Sequence, residues 1–327
     1  MRLLLSLCLL LPLLSGCINH ANNAKKAADV VVAVHVDWLE NTETFLTQSQ
    51  EFCQNPNPLH LEGLQQSQQL FANIVSRLEG FELLFGRGQL MPIRVFLSPD
   101  EMSELVEGYL NALKSDPSLS TREHDPRLNS VNALEYLLRA QGERFLQEPE
   151  PCQALLHILE GHKQQADTLA QRVERTAPRQ LQDMANRDPE AYYRLIADII
   201  RSQLATSLRW AHLPFDEQLA FHQQQSLAPW SDNTHFHIIQ PMETARILFI
   251  VAGPQNLMRT KREADLASEI RDGLDEVFGM MIPFDNYNDM THDDNMRAQM
   301  LQAIDKLAAF DAKLRQPEVR RLIESVD

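Results

Sequence analysis

Glycine, aromatic residues, basic residues and cysteine are all in short supply in this 327-residue chain. Only 11 residues are glycine and 7% are aromatic, while Leu, Ala, Gln, Glu and Arg, all good helix formers, are common, so the expected class is all-α. Thirty Lys and Arg stand against 45 Asp and Glu, a formal charge of −15. That balance excludes nucleic acid as a partner, because gripping a phosphate backbone needs a basic face. No apolar run after residue 14 approaches the length of a membrane span. The signatures His-Glu-x-x-His, Gly-x-Ser-x-Gly, a phosphate loop and Cys-x-x-Cys are missing, which removes the best-marked hydrolase, nucleotide and redox chemistries. Trp38, Trp210 and Trp230 are too scattered to read as a cofactor box or a sugar platform. There is no fixed-period repeat, low-complexity run or heptad array.

What is present begins at the N-terminus. Arg2 precedes an apolar run from Leu3 to Leu14, too short for a permanent span but of the right length for the apolar region of a signal peptide. Leu14-Ser15-Gly16-Cys17 then forms a lipobox, in which the thiol takes a diacylglycerol before cleavage leaves Cys17 as the new N-terminus. An ordinary secretory signal with a chance cysteine is the plainer alternative. Ile18 follows, where an aspartate would argue for inner-membrane retention. The expectation is a signal peptide over 1–17 and a periplasmic lipoprotein anchored to the outer membrane, the membrane being a partner through the acyl chains of Cys17. Cys8 leaves with the signal, so Cys53 and Cys152 remain in an oxidising compartment and are expected to pair.

Prolines punctuate the rest. Between them, apolar residues recur at helical spacing: Leu195, Ile196, Ile199, Ile200, Leu204 and Leu208 form one face, and Leu266, Ile270, Leu274, Val277 and Met281 another. The expected helices are 24–53, 59–86, 100–114, 128–147, 151–176, 188–213, 240–253, 262–281 and 293–315, with a short one after Pro317. A polar break near 178–188 divides the chain into an N-terminal bundle, 18–180, and a C-terminal bundle, 181–327. Long insertions in helical bundles often carry function, which singles out the stretch from Gly86 to Leu128.

Several stretches together resemble the imelysin-like proteins, a family also catalogued as metallopeptidases. Phe52-Cys53-Gln54-Asn55-Pro56 is similar to the family's Phe-Cys-x-Asn-Pro turn. Ser130-Val131-Asn132-Ala133-Leu134-Glu135 resembles its Gly-x-His-x-x-Glu helix, and Cys152 opens the following helix as it often does there. Phe85-Gly86, Pro99-Asp100 and the segment from Ala264 to Pro283 resemble further family positions. The resemblance implies two packed helical bundles, up-and-down, with a long loop after the second helix. It also implies a periplasmic or surface protein often tied to iron acquisition; the cofactor stays open, with a divalent metal or iron as the candidate.

The departures fall on the chemistry. The motif glycine is Ser130 and the motif histidine is Asn132; only Glu135 survives. An amide is a poor transition-metal ligand. Glu82, near the end of the expected second helix, and Asp100, in the turn beyond it, are the nearest acidic candidates by expected placement, and with Glu135 they would make an oxygen-rich site suited to Ca or Mg. His124, in Glu123-His124-Asp125, is a candidate replacement ligand reaching in from the loop; the alternative is a solvated turn started by Asp125. For Glu135 the alternative is a structural role between helices. His235-Phe236-His237 lies after a capping segment, and on a helix its two rings diverge by about 200°, which rules against a shared ion. His292-Asp293-Asp294 reads as a cap, and His35 as a bundle-facing histidine. These residues favour a non-catalytic binding protein, with an envelope protein as a candidate partner. A metallopeptidase using Glu135 as base and an adaptor in a redox or haem complex are the alternatives.

Overall fold

Asn19 opens the first helix by accepting the Asn22 N–H on its side chain, which satisfies one of the donors every helix start leaves unpaired. In the computed structural model, residues 19–85, 97–226, 228–231, 234–284 and 290–324 are described. The signal segment, Cys17 and Gly86 lie outside them. Helix α1 (His20–Gln54) ends where Asn55 precedes Pro56, whose ring pushes its neighbour out of the helical region. Asn57 caps α2 (Pro58–Arg77), with proline at its first turn. Then come α3 (Glu82–Phe85), α4 (Pro99–Ser115) with a Ser98/Glu101 capping box, and α5 (Thr121–His124). A 3-10 turn (Pro126–Asn129) leads into α6 (Val131–Arg139), and another (Gly142–Leu146) precedes α7 (Glu150–Arg187).

The second half holds α8 (Pro189–His212), α9 (Thr234–Val251), α10 (Pro254–Thr260), α11 (Ala264–Met281), α12 (Asp294–Leu314) and α13 (Pro317–Glu324). Among the described residues there is no strand, only a single bridge between Phe215 and Phe221. Nor is any described helix long and apolar enough to cross a membrane.

The fold is all-α and consists of two packed bundles. In the first, α1 lies along α7 and α2, with α4 against α7 and α6 against α2. Ala24, Ala27, Ala28, Val31, Trp38, Phe45 and Phe52 form the buried stripe of α1, and its small residues let the long α7 approach closely. Cys53, at the end of α1, is disulfide-bonded to Cys152, at the start of α7, with Cα atoms 5.6 Å apart. In the second bundle, α8 is the hub for α9, α12 and α13, and α11 fills in beside α9. The bundles meet where α2 packs on α9 and where α7 passes into α8.

Four expected boundaries are corrected. The second helix stops at Arg77 instead of reaching 86, because the chain turns at Gly80 with φ +82°. The expected helix over 128–147 is three pieces, divided where Ser130 caps α6 and where Gly142 passes Leu61 closely. The expected end at 176 is not an end: α7 runs through Pro178 to Arg187, since Val173, Ala177, Leu181 and Ala185 continue its buried stripe. Burying that stripe outweighs a proline cost of about 3 kcal/mol. The break comes at Asp188, which caps α8 ahead of Pro189. Likewise α9 begins at Thr234 and carries Pro241 inside it.

Candidate functional site

Ser130 is fully buried, and its hydroxyl accepts the Ala133 N–H at 3.1 Å. This cap fixes the phase of α6, so that Asn132 and Glu135, three apart on one face, are both carried inward. Glu135 is 1% exposed. Its Oε1 accepts two backbone N–H groups from the other bundle, that of Trp230 at 3.0 Å and that of Ser231 at 2.6 Å. Burial pushes the Glu135 carboxyl up to about 7, against the opposing pull of Ser231, Trp230 and the Arg139 charge.

The surroundings extend this contact into a seam. The Trp230 ring meets Tyr136 edge-on at 5.1 Å. The Tyr136 hydroxyl donates to Ser103 Oγ and accepts from Gln141 Nε2, each at 2.9 Å. From α2, Gln69 Nε2 donates to the Ser231 carbonyl at 3.3 Å, and Arg77 Nε donates to Gln240 Oε1 at 2.6 Å. The Ser76 hydroxyl donates to the Ala72 carbonyl, so the His237 Nδ1–H must donate to Ser76 Oγ, 2.8 Å away. His237 is thus a seam residue. His235, also buried, packs on Phe236 in the first turn of α9.

The other candidates are not gathered around Glu135. Glu82 begins α3 and is half-buried, and Asp100 is exposed in the first turn of α4. His124 ends α5, exposed, with its ring 5.3 Å from that of Tyr109. The Tyr109 hydroxyl donates to the Leu119 carbonyl at 2.7 Å, which leaves it to accept from His157 Nδ1 at 2.8 Å. Asp125 starts the expected turn, accepting the Arg127 N–H. Asp293 caps α12 and accepts the N–H groups of Asn295 and Met296. His35 is buried and bonded to the Val31 carbonyl at 2.7 Å.

Among the described residues no three His, Cys, Asp or Glu stand close enough to hold a metal ion. At the motif itself, two N–H donors are aimed at Glu135 Oε1 and an amide replaces the ring nitrogen. These residues do not fit a metal centre. Sequence reasoning missed Trp230 and Ser231, and no local signal links a loop residue to a carboxylate 95 positions earlier.

Comparisons with known proteins agree with this architecture. No curated protein matches the chain. A solved structure of an imelysin-like protein from Psychrobacter arcticum 273-4 is similar over 94% of this chain and 98% of that chain, at a TM-score of 0.70 and 13% identity, a likeness of fold. A family model described as imelysin, under the heading Peptidase M75, matches residues 31–326. Since that match runs through both bundles and across the seam between them, the chain belongs to the imelysin family.

Proposed function

We propose that this imelysin-family protein is a lipid-anchored envelope protein, held at the outer membrane through Cys17, that binds rather than cleaves. Its ligand or protein partner engages the junction where α6 meets the 228–231 segment, in iron-linked or metal-linked periplasmic physiology. The observation that carries this reading is the use of Glu135. A peptidase of this kind needs a metal-bound water and a carboxylate available to take its proton. Here the motif carboxylate is spent on two peptide N–H groups of the opposite bundle, and Asn132 stands where the family has a histidine.

The test is elemental analysis and calorimetry of the purified protein with iron, copper, zinc and calcium, beside Glu135→Ala. Binding that is absent or indifferent to the substitution is the expected result. Tight stoichiometric binding lost in Glu135→Ala, with metal-dependent peptide cleavage lost alongside it, would overturn the reading in favour of a peptidase. Detergent extraction followed by co-purification identifies the partner, and Cys17→Ser should release the protein from the membrane fraction.

A further inference from the structure

A polar concavity lies on the C-terminal bundle, edged by Leu83 of α3 and separate from the buried Glu135 junction. It has a volume of about 420 Å³ and is lined by Leu83, Asp198, Arg201, Ser202, Arg315 and Arg320. That is within the range of pockets that hold small molecules, about 300–1,000 Å³. Its position in a chain of charge −15 is the unexpected part: three of six lining residues are arginine.

The arginines are assembled from three elements. Arg201 comes from α8, Arg315 closes α12, and Arg320 comes from α13. Each is held by a carboxylate on one side. Arg201 is 7% exposed and donates to Asp198 Oδ1 at 2.8 Å and to Glu324 Oε1 at 2.7 Å. Arg315 uses Nε and Nη2 on Asp311, at 2.7 and 3.1 Å. Arg320 uses only Nε, on both oxygens of Glu324, at 2.9 and 3.1 Å. Arg194 stands 4.0 Å from Glu324 at the edge of the group.

Two consequences follow from the donor inventory. Four guanidinium groups share three carboxylates, Asp198, Asp311 and Glu324, so the cluster carries a net positive charge. A guanidinium offers five N–H donors in a fixed fork. Among the described residues, both terminal nitrogens of Arg320 and the Nη1 of Arg315 are left without a bonded partner, while the carboxylates fix the orientation of the groups that bear them. The side chains of Arg315 and Arg320 are about half exposed, so those donors reach solvent. Beside the cluster, Ala197, Ile200, Phe249 and Leu314 line an apolar space that also touches Arg201, so that guanidinium sits against low-dielectric packing.

We propose that this cleft is a binding site for a small, multiply charged oxyanion bearing phosphate or carboxylate groups. Arg315 and Arg320 supply the forked contacts, Ser202 a neutral hydrogen bond, and buried Arg201 a fixed charge behind them. Glu324 acts as the internal competitor that holds Arg201 and Arg320 apart from solvent anions until the ligand arrives.

Calorimetric titration of the purified protein with pyrophosphate and with citrate tests the site, and vesicles containing phosphatidylglycerol test a lipid headgroup as the source of the anion. Saturable binding of at least one probe is expected. It should weaken tenfold or more in Arg315→Gln and in Arg320→Gln, stay unchanged in Arg175→Gln on the exposed face of α7, and tighten severalfold in Glu324→Gln. That tightening separates an anion site from a purely structural ion-pair network, in which losing Glu324 gains nothing. Vesicle binding blocked by free pyrophosphate would assign the headgroup as ligand at the same site. No saturable binding of any of the three probes, or binding indifferent to both arginine substitutions in variants whose helical circular dichroism is intact, would overturn the proposal. Neither result bears on the Glu135 junction, which shares no residue with the cleft.

Discussion

The N-terminal bundle is closed by a covalent bond between the first and last of its long helices, and its buried Glu135 meets peptide N–H groups. The C-terminal bundle has no cysteine, and its buried Glu324 meets the guanidinium groups of Arg201 and Arg320. Both carboxylates are taken from water, but their direct partners differ: peptide N–H dipoles in one case, with the Arg139 charge acting without a bond, and bonded guanidinium cations in the other. Burial is what lifts the Glu135 carboxyl to about 7, and the N–H groups of Ser231 and Trp230, with the Arg139 charge, pull against it without offsetting it. An ion pair instead makes the two residues depend on each other, so that removing either leaves a buried charge behind.

The largest effect should come from opening the N-terminal bundle. Cys53 and Cys152 are 99 positions apart, and in the chain-entropy view a cross-link of that span contributes about 4–5 kcal/mol. Replacing both with serine should lower the denaturant midpoint accordingly. An unchanged midpoint would mean that α1 and α7 are held by packing alone. Next, Glu135→Ala leaves the Trp230 and Ser231 N–H groups without an acceptor and opens a void, at a cost of about 2–4 kcal/mol. Chemical denaturation resolves that, and the Trp230 fluorescence should shift with it because its ring packs on Tyr136 beside the site.

The comparison sharpens further with pH. Glu135 has a folded pKa raised from 4.5 to about 7, so it binds its proton more tightly folded than unfolded. Its contribution is therefore fully present below about pH 4.5 and is lost as pH rises to 7, by at most about 3 kcal/mol. Burial lowers His35 and His162 to about 4, which acts in the opposite sense: their contribution is present above 6.5 and is lost as pH falls. The two effects overlap, so the useful quantity is a difference. The stability of Glu135→Gln relative to the parent should rise steadily between pH 4.5 and 7, and a flat difference would refute the Glu135 assignment.

Smaller still, Gly253→Ala should cost about 1–3 kcal/mol in thermal unfolding. Gly253 has φ +101°, and an added Cβ would collide with the Asn23 side chain that donates to the Tyr193 hydroxyl across the bundles. At the bottom of the scale, Lys25→Ala breaks an exposed pair with Asp29 and should change stability by less than about 0.5 kcal/mol.

These features differ in how far the chain announces them. Caps were legible because they are local: Asp188-Pro189 and Asp293 start helices where the residue types say they should. The Cys53–Cys152 pairing followed from the small number of cysteines. The break expected near Pro178 misled, because a proline's cost is local while the burial that overrides it is tertiary. Glu135 stood out by resemblance, but its partners lie in the other bundle. Glu82, Asp100 and His124 were chosen from expected helix ends and loops, and among the described residues the fold does not gather them into a metal-holding group. The arginine cleft left no trace at all, since its guanidinium groups come from three helices and each alone looks like solvated surface.

The cap at Asn19 has a mechanical consequence. On the proposed anchor, two residues, Ile18 and Asn19, separate the acylated Cys17 from His20, the first residue of α1, a reach of about 3.5 Å per residue. The protein would then not wander on a leash but stand on the bilayer. The pole where Asn23, Tyr193 and Gly253 tie the bundles together would rest at the headgroups. The disulfide lies at the other end of α1, about 50 Å away at 1.5 Å for each of its 35 residues. What a single asparagine cap decides, on that anchor, is how close the first turn of α1 stands to the acyl chains, and lengthening the chain between Cys17 and Asn19 by a few glycines would move that end away from the membrane.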